Sequence, residues 1–402
     1  MKTAPDRLRL ALVSPRYAAG AAGGAENLIQ QWAEKLAERG HEIEVLTTCA
    51  KNHFTWENQF PPGPGRVGGV RVTRFPVNHR DTVTHQRVQD RIAQAKALTL
   101  DEEEAWLDNG VTSDGLIHYL EENSSRFDTV IFAPYLFGLT YRGVAAVPEK
   151  AVLVPCLHNE PFAYLKTTEK LFSAARAVFF NTPGERDLAH SLFTIPREKS
   201  RVVGMGVEPP EEINPRRFTR KYGIRRPFIF YAGRREEGKN TPLLIEYFRL
   251  LQSIHDPAPQ LDLVLAGSGP ITVPGRAGRF VIDAGFLEEQ QKWNAYGAAW
   301  AFCQPSINES FSIVLLESWL AGKPALVNER CPVTLSHCRL SGGGLWFRDY
   351  YEFEECVLYL LENPELAAAM GEAGREYVRK NYSWKAIIGK LETNLGEIRD
   401  RR

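Results

Sequence analysis

A chain of 402 residues is too long for one ordinary core, so two domains are the first expectation. Its 49 basic residues balance its 49 acidic ones in roughly equal shares per half, which argues against a nucleic-acid partner, and 44% apolar content is that of a soluble globular protein. No apolar run has the length of a membrane span, and Met1 to Pro15 lacks a signal-peptide layout because the run Leu8 to Val13 is short and broken by Arg9, so a cytoplasmic chain is expected.

In chain order, strand-like apolar runs alternate with amphipathic stretches, the pattern of an α/β protein. Leu8 to Ser14 reads as a strand, and Ala25 to Arg39 as a helix stopped by Gly40. Glu42 to Thr47 reads as a strand, Pro61 to Gly65 as a loop, and Val70 to Phe75 as a short strand. Residues 80–98 place Val88, Ile92 and Ala95 at helical spacing, with Arg87, Arg91 and Lys96 elsewhere on the turn. Such a helix either docks on its own domain, the commoner case, or makes peripheral contact with an anionic membrane surface. Asp101 to Glu104 starts an acidic helix, and the nearby Trp106 reads as part of an acceptor loop or of a helix cap. Thr129 to Ala133, Ala151 to Pro155 and Ala177 to Asn181 are buried strands, and Arg201 to Gly204 closes this half.

Pro209 to Pro215 reads as a linker. Beyond it the pattern restarts with strand Phe228 to Ala232 and helix Thr241 to Gln252. Leu261 to Ala266, Arg279 to Asp283 and Trp300 to Gln304 are further strands. Two such halves imply a ligand cleft between them, because open α/β sheets bind ligands at the carboxyl ends of their strands. Six cysteines (49, 156, 303, 331, 338 and 356) form no C-x-x-C pair and read as reduced, mostly buried thiols. His337 beside Cys338 is a faint metal signal that weighs less than a structural role.

Glu309 and Glu317 bracket a polar turn that runs into an apolar stretch, as in a strand-to-helix loop whose helix N-terminus receives an anion. Were the span fully helical, the two acids would stand roughly 12 Å apart, about the reach from a sugar to a ribose across a diphosphate. Strand Phe228 to Ala232 runs into Gly233, Arg234 and Lys239 ahead of a helix. Two cations there suit a diphosphate, although an isolated pair would more often be plain surface charge. Gly267 opens a glycine turn after the strand ending at Ala266. Gly285 and Phe286 follow the next strand and either face a nucleobase or belong to the core. In the first half, Gly20 to Glu26 leads into a helix, and Gly23 and Gly24 let backbone approach a ligand. The run is not G-x-G-x-x-G, which speaks against a dinucleotide fingerprint. His158 follows a buried strand on the side expected to face the cleft.

Together these segments resemble the retaining GT-B glycosyltransferases of the GT4 group, of the bacterial polysaccharide or glycoconjugate type. The resemblance covers most of the chain, most strongly 11–48 and 228–325, and visibly 151–208 and 374–390. Glu309 and Glu317 match the family's acid-seven-acid motif, Arg234 and Lys239 its basic pair, Gly23 and Gly24 its first glycine loop. Ala266 to Pro270 and Ser318 to Pro324 match two further motifs, and His158 matches its first-domain histidine. The resemblance implies a GT-B fold: an acceptor-binding Rossmann-like domain over 1–210, a donor-binding one over 211–383, and a helix over 384–402 returning to the first domain. It implies a UDP- or GDP-sugar donor, a sugar, glycolipid or other hydroxyl acceptor, and no cofactor or metal.

The resemblance also implies roles. Glu309 contacts the sugar hydroxyls, backbone N–H groups from Ser310 through Phe311 and Ser312 to Ile313 hold phosphate, and Glu317 accepts from the ribose hydroxyls. Arg234 and Lys239 stabilise the departing diphosphate. Ser310, Ser312 and Asn240 stand where many members carry glycine, and Gly204 to Glu208 replaces a commoner hinge. With Glu309 assigned to recognition and no other acid obvious beneath the anomeric carbon, front-face transfer is expected, with His158 holding the sugar or supporting developing charge. A nucleotide-sugar 2-epimerase on the same fold and a non-catalytic nucleotide-sugar scaffold are the rival readings. The intact charged set argues against the scaffold.

Overall fold

The computed structural model describes residues 7–18, 24–235, 237–272 and 275–400. The chain divides into two compact units, Met1–Met205 with Ile387–Arg402, and Gly206–Ala386.

In the first unit, β1 (Arg9–Ser14), β2 (Glu42–Thr48), β3 (Gly63–Val67), β4 (Val70–Phe75), β5 (Thr129–Phe132), β6 (Ala151–Leu153), β7 (Ala177–Phe180) and β8 (Ser200–Val202) form one sheet in the order β3-β4-β2-β1-β5-β6-β7-β8. Only the β3–β4 pairing is antiparallel; the other pairings are parallel. Chain order reverses between β1 and β5, which opens a crevice at their carboxyl ends. Parallel strands buried on both faces need continuous apolar runs, and Leu10 to Val13 and Val130 to Phe132 are fully buried. Helix Gly24–Glu38 lays Leu28, Ile29, Trp32, Ala33 and Leu36 inward at helical spacing.

In the second unit, β9 (Phe228–Ala232), β10 (Asp262–Ala266), β11 (Val281–Gly285), β12 (Ala301–Gln304), β13 (Ala325–Asn328) and β14 (Gly344–Phe347) make a fully parallel sheet in the order β11-β10-β9-β12-β13-β14. Along β9 alternate residues feed opposite layers. Ile229 and Tyr231 pack with Leu244, Phe248, Phe353 and Val357. Phe228 and Phe230 meet Phe218, and Phe230 also meets Tyr296 and Phe302. Each such fully buried side chain contributes roughly 1.5–3 kcal/mol of apolar transfer.

Several expectations change. The expected loop Pro61 to Gly65 is partly strand: β3 begins at Gly63 and turns into β4 through Gly68 and Gly69, whose φ values of +56° and +81° fit a two-residue type I′ turn. The expected strand Arg279 to Asp283 is shifted, since β11 starts at Val281 after a 3₁₀ turn. The expected helix over 80–98 spans Thr82–Ala93, capped by Asp81, and Ala95 lies beyond it at φ +51°. Its Val88 and Ile92 are buried with Trp106, Leu107 and Leu165, so this apolar face docks on its own unit. Trp106 belongs to helix Leu100–Asp108, which opens on a capping box between Thr99 and Glu102. No helix among the described residues is long and apolar enough to cross a membrane.

Candidate active site

The second sheet reverses chain order between β9 and β12, and the residues singled out in this half leave the carboxyl ends of its strands. Lys239, in a 3₁₀ turn after β9, donates from Nζ to Oε1 of Glu309 at 2.8 Å. Gln304, the last residue of β12, donates from Nε2 to the same oxygen at 2.8 Å. The Glu309 side chain is 12% exposed and that of Lys239 24%, so the pair sits in a partly dry recess where charge interactions strengthen. Arg234 is exposed in the same loop, and its backbone carbonyl accepts from the Tyr231 hydroxyl at 2.6 Å.

The loops after β9, β10 and β11 are tied edge to edge. Gly233 N–H donates to the Ala266 carbonyl at 3.0 Å, Gly267 N–H to that of Gly285 at 2.8 Å, and Arg235 N–H to that of Ser268 at 2.8 Å. Gly267 has no alternative: a Cβ there would lie 1.7 Å from the Gly233 carbonyl oxygen, at φ +134°. Arg235 pairs with Asp283, whose Oδ1 also accepts from Gly285 N–H. Phe286, next in the chain, is 75% exposed, so the core reading of that ring falls away.

The segment between the two acids is only half helical. The helix spans Ile313–Leu320, and Ser312 precedes it in the left-handed region at φ +60°. The fully helical 12 Å spacing is therefore replaced by a turn plus one helical turn. Positive φ at Ser312, and likewise +54° at Asn240, gives the physical reason glycine suits both positions. Asn240 tolerates the conformation and donates to the Pro305 carbonyl at 3.1 Å, bridging the β9 and β12 loops. Ser312 is buried, and its hydroxyl has no hydrogen-bond partner among the described residues. Ser310 and Ile313 are half-buried, while Phe311 is buried against His337 and Tyr382.

Glu317 is buried at 3% exposure. Lys292 Nζ donates to its Oε1 at 2.8 Å and the Tyr296 hydroxyl to its Oε2 at 2.9 Å. Burial raises its carboxyl above the ordinary value, with the Lys292 charge and both donors opposing. Burial lowers Lys292, but Glu317 and then Glu289 outweigh it, and the ammonium keeps its proton more tightly than usual. One lone pair on each Glu317 oxygen remains for a further donor.

In the first unit, His158 follows β6 and is 33% exposed, with Nδ1 3.7 Å from Glu160 Oε1. The Tyr135 hydroxyl donates to that oxygen at 2.8 Å. Burial raises the Glu160 carboxyl, but His158 and Tyr135 outweigh it and leave it below the usual range. Beneath the loop lies Glu185, fully buried, accepting from Leu157 N–H at 2.7 Å and Asn181 N–H at 2.6 Å. Burial pushes its carboxyl up to about 7 against those two donors and the nearby His158. Gly24 opens helix Gly24–Glu38, and Gly23 lies outside the described residues. Two residues on, Glu26 accepts from buried Arg16 at 2.6 Å. His337 and Cys338 are buried, with His337 Nδ1 3.0 Å from the Tyr377 hydroxyl, and no cluster of three metal-ligating side chains occurs among the described residues.

Sequence reasoning missed Gln304, Lys292, Tyr296, Asp283 and Glu185. Gln304 carried a signal, a polar residue closing a buried strand. Lys292 and Tyr296 share a helix face at i, i+4 spacing, but that spacing does not say which acid they meet.

Two Rossmann-like units, one presenting a basic loop, a helix start and buried acids at its switch point, define the GT-B class of glycosyltransferase. The family model described as Glycosyl transferase 4-like domain matches residues 23–206, and that described as Glycosyl transferases group 1 matches residues 216–377. The chain belongs to the GT4-like glycosyltransferases of GT-B fold. It is similar to an uncharacterized glycosyltransferase of Methanocaldococcus jannaschii, at 23% identity over 97% of this chain and 98% of the relative. It is also similar to a D-inositol 3-phosphate glycosyltransferase of Saccharomonospora viridis, at 24% identity over 92% and 88%. Among solved structures, Anabaena HepE in complex with UDP and glucose is similar in fold, with a TM-score of 0.69 at 15% identity over 97% of this chain and 100% of that one.

Proposed function

We propose that this glycosyltransferase moves a hexose-type sugar, with retention and without a metal, from a UDP- or GDP-sugar to a hydroxyl acceptor. The acceptor is a sugar or glycolipid, and the setting is polysaccharide, O-antigen or glycolipid synthesis. The observation that carries the reading is the convergence of Lys239 and Gln304 on Glu309, at the switch point of a sheet whose next helix holds buried Glu317. HepE, solved with UDP and glucose, supports a nucleotide-sugar donor.

In this reading Glu309 orients the sugar hydroxyls, and the helix start at Ser310 to Ile313 receives phosphate. Glu317 accepts from the ribose with its remaining lone pairs. Gly233, Gly267 and Gly285 keep the backbone low beneath the nucleotide, and Phe286 supplies a ring for the base. Arg234 and Lys239 take up the charge growing on the departing diphosphate. The leaving phosphate receives the acceptor's proton on the same face, which gives retention. From the first unit, we assign His158 a hydrogen bond to the donor sugar; Gly23 and Gly24 let backbone approach the ligand closely. Peripheral contact with the inner membrane surface would have to come from residues other than Val88 and Ile92, which are buried.

The test pairs a thermal-shift panel of nucleotide diphosphates with transfer assays in chelator, the anomeric configuration of the product being read by NMR. A ligand that prefers the folded state raises the melting point. Stabilisation by UDP or GDP and a retained anomer are expected. No stabilisation by any nucleotide sinks the donor site, and an inverted anomer sinks front-face transfer.

A further inference from the structure

Away from the carboxyl edge of the first sheet, three charged side chains form a row. Glu44 of β2 is the register partner of Arg71 on β4, and Arg71 is that of Arg66 on β3. Register partners project to the same face, so the three line up across it. Thr73, two residues along the same face, donates to Glu44 Oε1 at 2.8 Å. Helix Asp114–Asn123 and the turn after it supply a wall. From there the Tyr119 hydroxyl donates to Glu44 Oε1 at 3.1 Å. Arg126 donates from Nη1 to the Tyr119 hydroxyl at 2.7 Å, and its Nη2 stands 3.4 Å from Glu44 Oε2. The row and the wall border an open groove of about 610 Å³.

Its charge is out of balance. Three guanidinium groups line the groove with one carboxylate, and Glu44 is buried and already accepts from Thr73, Tyr119 and Arg126. Arg66 and Arg71 stand directly opposite each other, a like-charge pair that works against the hairpin. Folding does not require it, since Thr or Gln would serve an exposed strand pair. Arg66 is also held, donating from Nη1 to the Gly69 carbonyl at 2.7 Å. The volume falls in the usual range of small-molecule sites, about 300–1,000 Å³. Arginine offers planar forks of donors that match phosphate oxygens in pairs.

We propose that this groove binds a phosphorylated small molecule carrying two or more anionic groups, at a site separate from the nucleotide-sugar loops. Arg66 and Arg71 grip it from the hairpin, and Arg126, steadied by Tyr119 and Glu44, from the wall. Arg71 is four residues, roughly 13 Å, from the carboxyl end of β4. The ligand therefore sits apart from the strand ends of its unit, as an effector or a remote part of an acceptor, not as the reacting group.

The test titrates inorganic tripolyphosphate into the full-length chain by calorimetry, comparing wild type, R66S/R71S and R234A/K239A. A saturable site is expected in wild type and in R234A/K239A, weakening with salt. In R66S/R71S its affinity falls by about tenfold or more. That variant is expected to melt close to wild type, because the repulsion it removes offsets the Arg66–Gly69 hydrogen bond it loses. Should it melt lower, R66K/R71K decides: it keeps the charge but loses the paired donors, and several-fold weakening is expected. No saturable site in wild type, a site lost in R234A/K239A but kept in R66S/R71S, or unchanged affinity in both hairpin variants overturns the inference.

Discussion

Lys239 and Glu309 hold each other at 2.8 Å, across the crevice between the loops that follow β9 and β12. In the proposed reading Lys239 serves the leaving diphosphate and Glu309 the sugar, and their contact places those two proposed roles side by side. The lysine has three donors and spends one on Glu309.

Replacing Lys239 with alanine is therefore expected to lower kcat by about 10²- to 10³-fold, with a smaller change in donor KM, because charge develops on the diphosphate mainly in the transition state. Single-turnover rates at saturating donor measure this. An unchanged rate would remove Lys239 from the leaving-group clamp.

Glu317 makes a different kind of pair, buried and sharing its two oxygens between Lys292 and Tyr296. Glu317→Ala strips the Tyr296 hydroxyl of its acceptor and leaves the Lys292 ammonium with Glu289 alone. A loss of about 1–3 kcal/mol is expected in urea unfolding. Glu317→Gln keeps an acceptor and should lose less. Equal losses in the two variants would mean that packing, not the charge pair, holds this corner together.

These two pairs show where the sequence was legible. Apolar runs at β1, β5, β9, β10 and β12 mark the sheets because parallel strands must be buried on both faces. The short elements β3, β13 and β14 escape notice, since four or five residues carry little periodicity and Gly63 and Pro64 read as loop. Arg234, Lys239, Glu309 and Glu317 were visible because charged residues placed after buried strands have few structural reasons to be there. Their partners were hidden, because Lys292 and Tyr296 meet Glu317 through helix packing that no local spacing encodes.

Ser312 combines a left-handed backbone with a buried hydroxyl that has no partner among the described residues. Ser312→Gly relieves the backbone strain and is expected to stabilise the ligand-free protein by about 1 kcal/mol. If the hydroxyl serves the donor, the same change weakens nucleotide-sugar binding. Melting temperature with and without nucleotide reads both effects, and destabilisation of the free protein would contradict the strain argument.

Phe286 follows Gly285, whose N–H is tied to Asp283, and its ring is exposed. Phe286→Ala should leave unfolding unchanged while weakening nucleotide binding by about 1–3 kcal/mol, the usual worth of an aromatic ring stacked on a base. Calorimetry with UDP and GDP, set beside a urea curve, separates the two. Full affinity in the variant would show that the ring does not touch the base.

Glu185 predicts a pH dependence. Its carboxyl rises to about 7 in the folded protein because burial outweighs the two backbone donors. A raised carboxyl contributes stability that is fully present below its unfolded value, about 4.3, and that is lost as pH climbs through about 7. Above that range the carboxylate is ionised in both states and the penalty stays constant. Glu185→Gln cannot ionise, and it also loses one acceptor for the Leu157 or Asn181 N–H. The advantage of wild type over this variant is therefore expected to shrink by on the order of 3 kcal/mol between pH 4 and pH 8. The same titration alters the acceptor for Leu157 N–H, next to His158, so any pH dependence that this ionisation gives the transfer rate should be absent from the variant. Urea midpoints at intervals of one pH unit test the first claim, and a difference that stays flat across that range would refute it.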